Sequence, residues 1–155
     1  MYKKKEQIKT NVFDLANYLI EKSHQEKQEI NNTRLQKLLY YSQAYFLVKN
    51  SKQPLFNEPI EAWDYGPVIP DLYFEFRQFA YENLPLSQKA TKNKLTEKQL
   101  KTLDFIFNKY KNQSANQLSQ QTHAEDPWQK RFQNFDFSLN RITNQDLYKY
   151  FHNKF

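Results

Sequence analysis

Ser119, His123 and Asp126 place a hydroxyl, an imidazole and a carboxylate within eight residues. These are the group types that nucleophilic catalysis uses as nucleophile, base and orienting acid. The spacing puts Ser119 one helical turn before His123, but such spacings arise often by chance. A polar helix end capped by Asp126 explains the same residues with less, so catalysis is the lesser reading. His24, His123 and His152 are far apart, and only His123 with Asp126 has even a weak ligand-like spacing. No metal is expected. The single glycine excludes phosphate-cradling loops, which need several close backbone approaches. The absence of cysteine excludes disulfides, thiolate metal sites and cysteine nucleophiles.

The one glycine, Gly66, lies in EAWDYGPVIPDLY, Glu61 to Tyr73. In the plainer reading it supplies a positive φ between an extended segment and a helix, Pro67 and Pro70 stiffen the turn, and Trp63 and Tyr65 pack inward. In the functional reading a proline-fixed loop holds an aromatic in the open, where binding loses little further entropy. Tryptophan and tyrosine are enriched at binding hot spots. Tyr40 and Tyr41 pose a related question. Adjacent on a helix, they are not expected to share one core, so one of them should reach the surface or an interface.

The elements that position these residues are legible from their starts. Asn11 caps a first helix with Val12, Leu15, Ala16, Leu19 and Ile20 on one stripe, fraying in EKSHQEKQE. Asn31 caps a second, with Leu35, Leu38, Leu39, Ser42, Tyr45 and Phe46 on one face. NSKQPLFNEP reads as a loop. Pro70 opens a third helix, and residues 83–95 read as a polar, mobile stretch. Thr96 to Gln99 and Ser114 to Gln117 form capping boxes for a fourth and fifth helix. Asp126 and Pro127 supply a cap and a first-turn proline for a sixth, and Thr143 begins a seventh. Ile60–Tyr65 and the alternating Phe135, Phe137 and Leu139 allow a two-stranded pairing. The expected fold is mainly α, a compact bundle of six to seven short helices in one domain over residues 1–155, with 1–10 as a flexible lead-in.

The 155-residue chain has 13 Phe and 11 Tyr and a net charge of +6. Residues 57–82 carry a net −5, whereas 1–56 and 83–112 each carry +5. Only four of the 23 basic residues are arginine, the residue that reads phosphates and guanine edges in forked geometry. The Gly66 stretch lies in the acidic block, which nucleic acid would avoid. A run of about 20 apolar residues, as a membrane span needs, is absent. A soluble, cytoplasmic protein is expected.

RLQKLLYYSQAYFL (34–47), PLFNEPIEAWDYGPVIPDLYFEF (54–76) and LSQQTHAEDPWQK (118–130) follow in order. Together they resemble the Panacea domain, the family of SocA-like antitoxins, over roughly residues 12–151. The resemblance implies a mostly helical bacterial or phage protein that blocks a co-encoded toxin by binding it, with no catalysis and no cofactor. It also implies a capacity to act as an adaptor, presenting the toxin to a ClpXP-type protease. The positions it carries over are Leu35, Gln36, Lys37, Leu38, Leu39, Tyr40 and Tyr41, then Trp63, Tyr65, Gly66, Pro67 and Pro70, then His123, Pro127 and Trp128. Ala44 fills the usual small position after the glutamine. Asp64 replaces a residue that is often basic or polar, which bears on partner choice.

The expectation is therefore a non-enzymatic antitoxin-like protein whose acidic middle segment meets a basic partner surface. The alternative is a nucleic-acid-binding regulator using residues 83–112.

Overall fold

The computed structural model describes residues 8–132 and 139–155. Its organising element is α2 (Asn32–Lys49), which starts where the Asn31 side chain accepts from the Arg34 backbone N–H. Ordinary surface helices bury one stripe, and a helix buried on every side must lie in the centre of a fold. From Asn32 to Leu47 only Thr33 and Tyr45 of α2 are not buried. Both Tyr40 and Tyr41 are fully buried, their rings edge to face at 4.9 Å. The expectation that one of them reaches the surface is thus corrected. It assumed a single buried face, and α2 has none to spare for solvent.

Around α2 stand α1 (Val12–Gln25), α3 (Pro70–Phe76), α4 (Glu97–Tyr110), α5 (Ala115–His123), α6 (Asp126–Arg131) and α7 (Asn144–Phe151). The fold is mainly α, with seven helices among the described residues. Four of the expected starts are capping boxes, at Asn11, Thr96, Ser114 and Thr143. α1 does not fray at EKSHQ but runs to Gln25. The cap of α6 is Glu125, not Asp126, which is the first helical residue and exposed. Residues 83–95 carry no helix or strand yet are tied to α1. Asn17 and Ser87 exchange two hydrogen bonds, and Asp14 accepts from Thr91 and from the Lys92 N–H. Lys9 and Thr10 are held as well, by Asn93 and Gln99.

A three-stranded antiparallel sheet, in the order β2-β1-β3, joins β1 (Ile60–Trp63), β2 (Gly66–Val68) and β3 (Arg141–Ile142). The expected pairing of β1 with 135–139 falls mostly on residues outside those described. Phe135 and Phe137 lie outside the described residues, Leu139 is exposed, and β1 pairs Ile60 with Ile142 and Glu61 with Arg141.

Within the long 50–59 loop, Leu55 and Phe56 are pinned by one side chain. Gln43 accepts from the Leu55 and Phe56 N–H groups (2.7 and 3.3 Å) and donates to Phe56 O and Asn144 Oδ1 (2.8 and 3.2 Å). Gln43→Leu keeps the volume but strands these buried backbone groups, so urea denaturation should show a loss of about 2–4 kcal/mol. A change within about 0.5 kcal/mol would mean the loop is held by packing alone.

Candidate functional site

The polar side chains of α2 build the site outward. Gln36 accepts from the Ile69 N–H (2.7 Å) and is itself oriented by Asn32 (3.0 Å). This fixes the approach to Pro70, the first residue of α3. One residue on, Lys37 is 1% exposed and donates from Nζ to Pro67 O (3.1 Å). Burial lowers its pKa to about 7. Two side chains of one helical turn therefore hold both ends of the Pro67–Pro70 segment.

Gly66 is required twice over. Its φ is +112°, a region side-chain-bearing residues rarely enter. A Cβ there would lie 2.6 Å from Thr122 Oγ1 and 2.9 Å from Lys37 Cε. The glycine lies in the β1–β2 hairpin, after Asp64 and Tyr65, rather than between a strand and a helix. It lets the hairpin press directly onto α2 and α5. The Ser119 hydroxyl donates to Tyr65 O, and Trp128 Nε1 donates to Trp63 O (2.8 Å). His123 lies over Trp128 with ring centroids 4.2 Å apart, and Trp128 stacks on Phe132 at 4.6 Å. The Ser119–His123–Asp126 spacing thus does not converge on one point: the hydroxyl serves the hairpin, the imidazole packs on indole and the carboxylate is exposed.

What this support presents is an aromatic ledge. Trp63 is half-buried, its indole N–H donating to Glu61 (2.9 Å), and it meets Tyr73 edge-on at 4.9 Å. Tyr65 is 77% exposed and Phe74 is 55% exposed. Asp64 is exposed beside them. Between ledge and α2 lies a cleft of about 440 Å³, with Lys37, Trp63, Asp64, Tyr73 and Phe132 on its walls. Of the residues singled out in sequence, Trp63, Asp64, Tyr65, Gln36 and Lys37 line this cleft. Gly66, Pro67, Pro70, His123 and Trp128 shape it from behind, and Tyr40 and Tyr41 do not reach it.

The tyrosines instead meet a residue that sequence reasoning missed. Glu125 is buried and accepts from Tyr40 (3.1 Å) and Tyr41 (3.0 Å), across 85 and 84 residues of chain. Burial raises its pKa to about 7, with the two tyrosine hydrogen bonds opposing. Burial and the Glu125 charge push both tyrosines well above their ordinary value. No local signal marks Glu125, since its neighbours Asp126 and Pro127 carry the helix-start pattern. Among the described residues no group of three or more His, Asp or Glu side chains is placed to hold a metal. No helix among them is long and apolar enough to cross a membrane.

The chain belongs to the antitoxin SocA-like, Panacea domain family, whose model matches residues 35–129. The match is shorter than the 12–151 expected, but it takes in all of the three quoted blocks except Arg34 and Lys130. Antitoxin SocA of Caulobacter vibrioides (strain NA1000 / CB15N) is 44% identical over 59 residues, 38% of this chain and 31% of that relative. The match therefore spans under a third of that relative's length. No solved structure matches the chain.

Gly66→Ala combines strained backbone with overlap at Thr122 and Lys37, and should cost about 2–4 kcal/mol in denaturant melts. A neutral result would show that the hairpin can lift off α2 freely. Glu125 has a folded pKa above its unfolded one, so its proton-linked stability is present below the unfolded value of 4.5 and is lost as pH rises through about 7. Glu125→Gln removes that dependence. Relative to the parent, its melting temperature should rise by roughly 5 °C or more between about pH 5 and about pH 8. A pH-independent difference would place the titration elsewhere.

Proposed function

We propose that this chain is an antitoxin that neutralises a co-encoded toxin by direct binding, with the Trp63–Tyr65–Phe74 ledge and the adjoining cleft as the docking face. Two findings support the reading: the family the chain belongs to, and a curated relative named Antitoxin SocA. The observation that carries the placement is the exposure of Tyr65 and Phe74 on a rigid backbone, since pre-held aromatics bind without a large ordering cost. In this reading the chain makes and breaks no bond and needs no cofactor. Trp63, Asp64 and Tyr65 touch the partner. Gln36, Lys37, Gly66, Pro67, Pro70, His123 and Trp128 act by holding the ledge in shape, and Tyr40 and Tyr41 by fixing α2 to α6. A complex of this kind would also let the chain serve as an adaptor that presents the toxin to a ClpXP-type protease.

The rim charge favours a basic partner surface. Asp64 and Asp71 are exposed near the ledge, and Glu61, although acidic, is engaged by the Trp63 indole. Charges of this kind set encounter rate more than affinity.

The test is growth rescue and binding with the product of the adjacent co-transcribed gene. Expressed alone that product should arrest growth, and this chain should relieve the arrest. A Tyr65→Ala, Phe74→Ala double variant should keep the parent melting temperature and yet bind at least about a hundredfold more weakly, the loss of two hot-spot aromatics. Asp64→Lys with Asp71→Lys should slow association by about tenfold at low salt, with a smaller effect at high salt. Full rescue by the aromatic double variant would remove the docking face. A neighbouring product that does not arrest growth would count against the antitoxin reading itself.

A further inference from the structure

Lys37 is a buried ammonium with one protein acceptor. Nζ carries three donors when charged, and Pro67 O takes one of them at 3.1 Å. Among the described residues no carboxylate lies within 4 Å of it, whereas Lys22, Lys89, Lys101, Lys111 and Lys130 all have such partners at the surface. An ion buried without a counter-charge is costly, and a fold that only needed to tie Pro67 in place could use a neutral donor. Lys37, 1% exposed, also forms part of the wall of the 440 Å³ cleft, a volume within the roughly 300–1,000 Å³ of small-ligand sites.

The rest of the cleft states what accompanies the charge. Trp63, Tyr73 and Phe132 give flat apolar walls, and the edge-on Tyr73 and the Glu61 hydrogen bond hold Trp63 in orientation. Thr33, one helical turn before Lys37 on the same face of α2, adds a hydroxyl to the lining. Asp64 sits at the exposed rim, so positive charge is favoured outside and negative charge inside.

We propose that the cleft receives a carboxylate carried on an aromatic or apolar group of the bound toxin, with the Lys37 ammonium as its counter-ion and the Trp63–Tyr73–Phe132 walls around the apolar part. This rests on the antitoxin reading for its occupant, and it adds the chemistry of the anchor: one acidic, flat group projecting from an otherwise basic surface. Entry of the carboxylate completes the ion pair that the free chain lacks, so part of the binding energy comes from relieving a buried, uncompensated charge.

The chemistry is tested on the isolated chain, independently of any toxin. 4-Hydroxyphenylacetate and its neutral amide, 4-hydroxyphenylacetamide, are titrated into the protein and followed by NMR at the Trp63 indole N–H. Saturable binding of the acid is expected at millimolar concentration. The amide should bind at least about tenfold more weakly, as loss of a charge-assisted hydrogen bond requires. Lys37→Met should remove the preference for the acid, with its folding checked by melting temperature. If that variant does not fold, the comparison of acid with amide on the unaltered chain decides alone. Equal binding of acid and amide, or none of either, overturns the proposal while leaving growth rescue to judge the antitoxin reading. In the partner arm, folded Lys37→Met should bind the toxin at least about tenfold more weakly. Unchanged toxin binding with intact acid selectivity would show that the site serves a free acid instead, which also overturns it.

Discussion

α2 is buried on nearly every side while carrying Arg34, Gln36, Lys37, Tyr40, Tyr41 and Gln43. A buried polar group must find a partner or pay its full desolvation cost. Each of these finds one on a different part of the chain. Arg34 donates to Tyr110 O (3.1 Å) at the end of α4 and to Gln113 O just beyond it. Gln36 takes Ile69, Lys37 takes Pro67, the tyrosines take Glu125, and Gln43 takes residues 55–56. The helix is therefore more than a hydrophobic centre. It is a rack of hydrogen-bonding groups that sets where the loops, and hence the surrounding elements, must lie.

The hairpin shows how far that constraint reaches. With Pro67 O and the Ile69 N–H held by Lys37 and Gln36, β2 lies against α2 and α5 only because Gly66 has no Cβ to meet Lys37 and Thr122. The opposite side of the hairpin is held through Trp63 O by Trp128, whose ring is packed between His123 and Phe132. The three sequence blocks that mark the family thus converge on one object, the β1–β2 hairpin. Most of their residues determine its position, and few are left to face a partner. Tyr65 is bound to the scaffold through its carbonyl, leaving its ring outward. In the docking proposed above, partner choice would fall to rim residues such as Asp64, Asp71 and Phe74, which are exposed and do not form the support beneath them.

Helix starts were readable because a cap is a local event: the Asn11, Thr96, Ser114 and Thr143 boxes close within three residues. Gly66 was readable as a positive-φ position for the same reason. The close approach that also demands it comes from Thr122 and Lys37, far along the chain, and no local pattern contains that. Tyr40 and Tyr41 were misplaced because reading periodicity presumes one buried face. Glu125 was overlooked because its function is made entirely by contacts about 85 residues away. The register of β1 with Arg141–Ile142 escaped for a further reason: a two-residue strand is too short to show alternation. The parts that failed to show were those made by tertiary burial, and these include most of the site.

Electrostatics follows the same division between inside and outside. Lys37 and Glu125, on opposite signs of charge, are both driven by burial toward neutrality, and their pKa values meet at about 7. The Glu125 carboxyl at the start of α6 keeps its tyrosine hydrogen bonds when neutral, whereas Lys37 on α2 has Pro67 O as its acceptor and lacks a counter-charge whenever it is protonated. The acidic block at 57–82 is likewise weaker at the surface than its charge of −5 implies. Glu58 accepts the first free N–H of α1, Glu61 holds the Trp63 indole, and Glu75 pairs with Lys89 at 3.2 Å. The exposed acids left in the block are Asp64, Asp71 and Glu82. At the ledge the exposed charges are Asp64, Asp71 and Arg77, whose guanidinium lies 5.2 Å from the Phe74 ring centroid, so in the docking proposed above the net field would be acidic but localised.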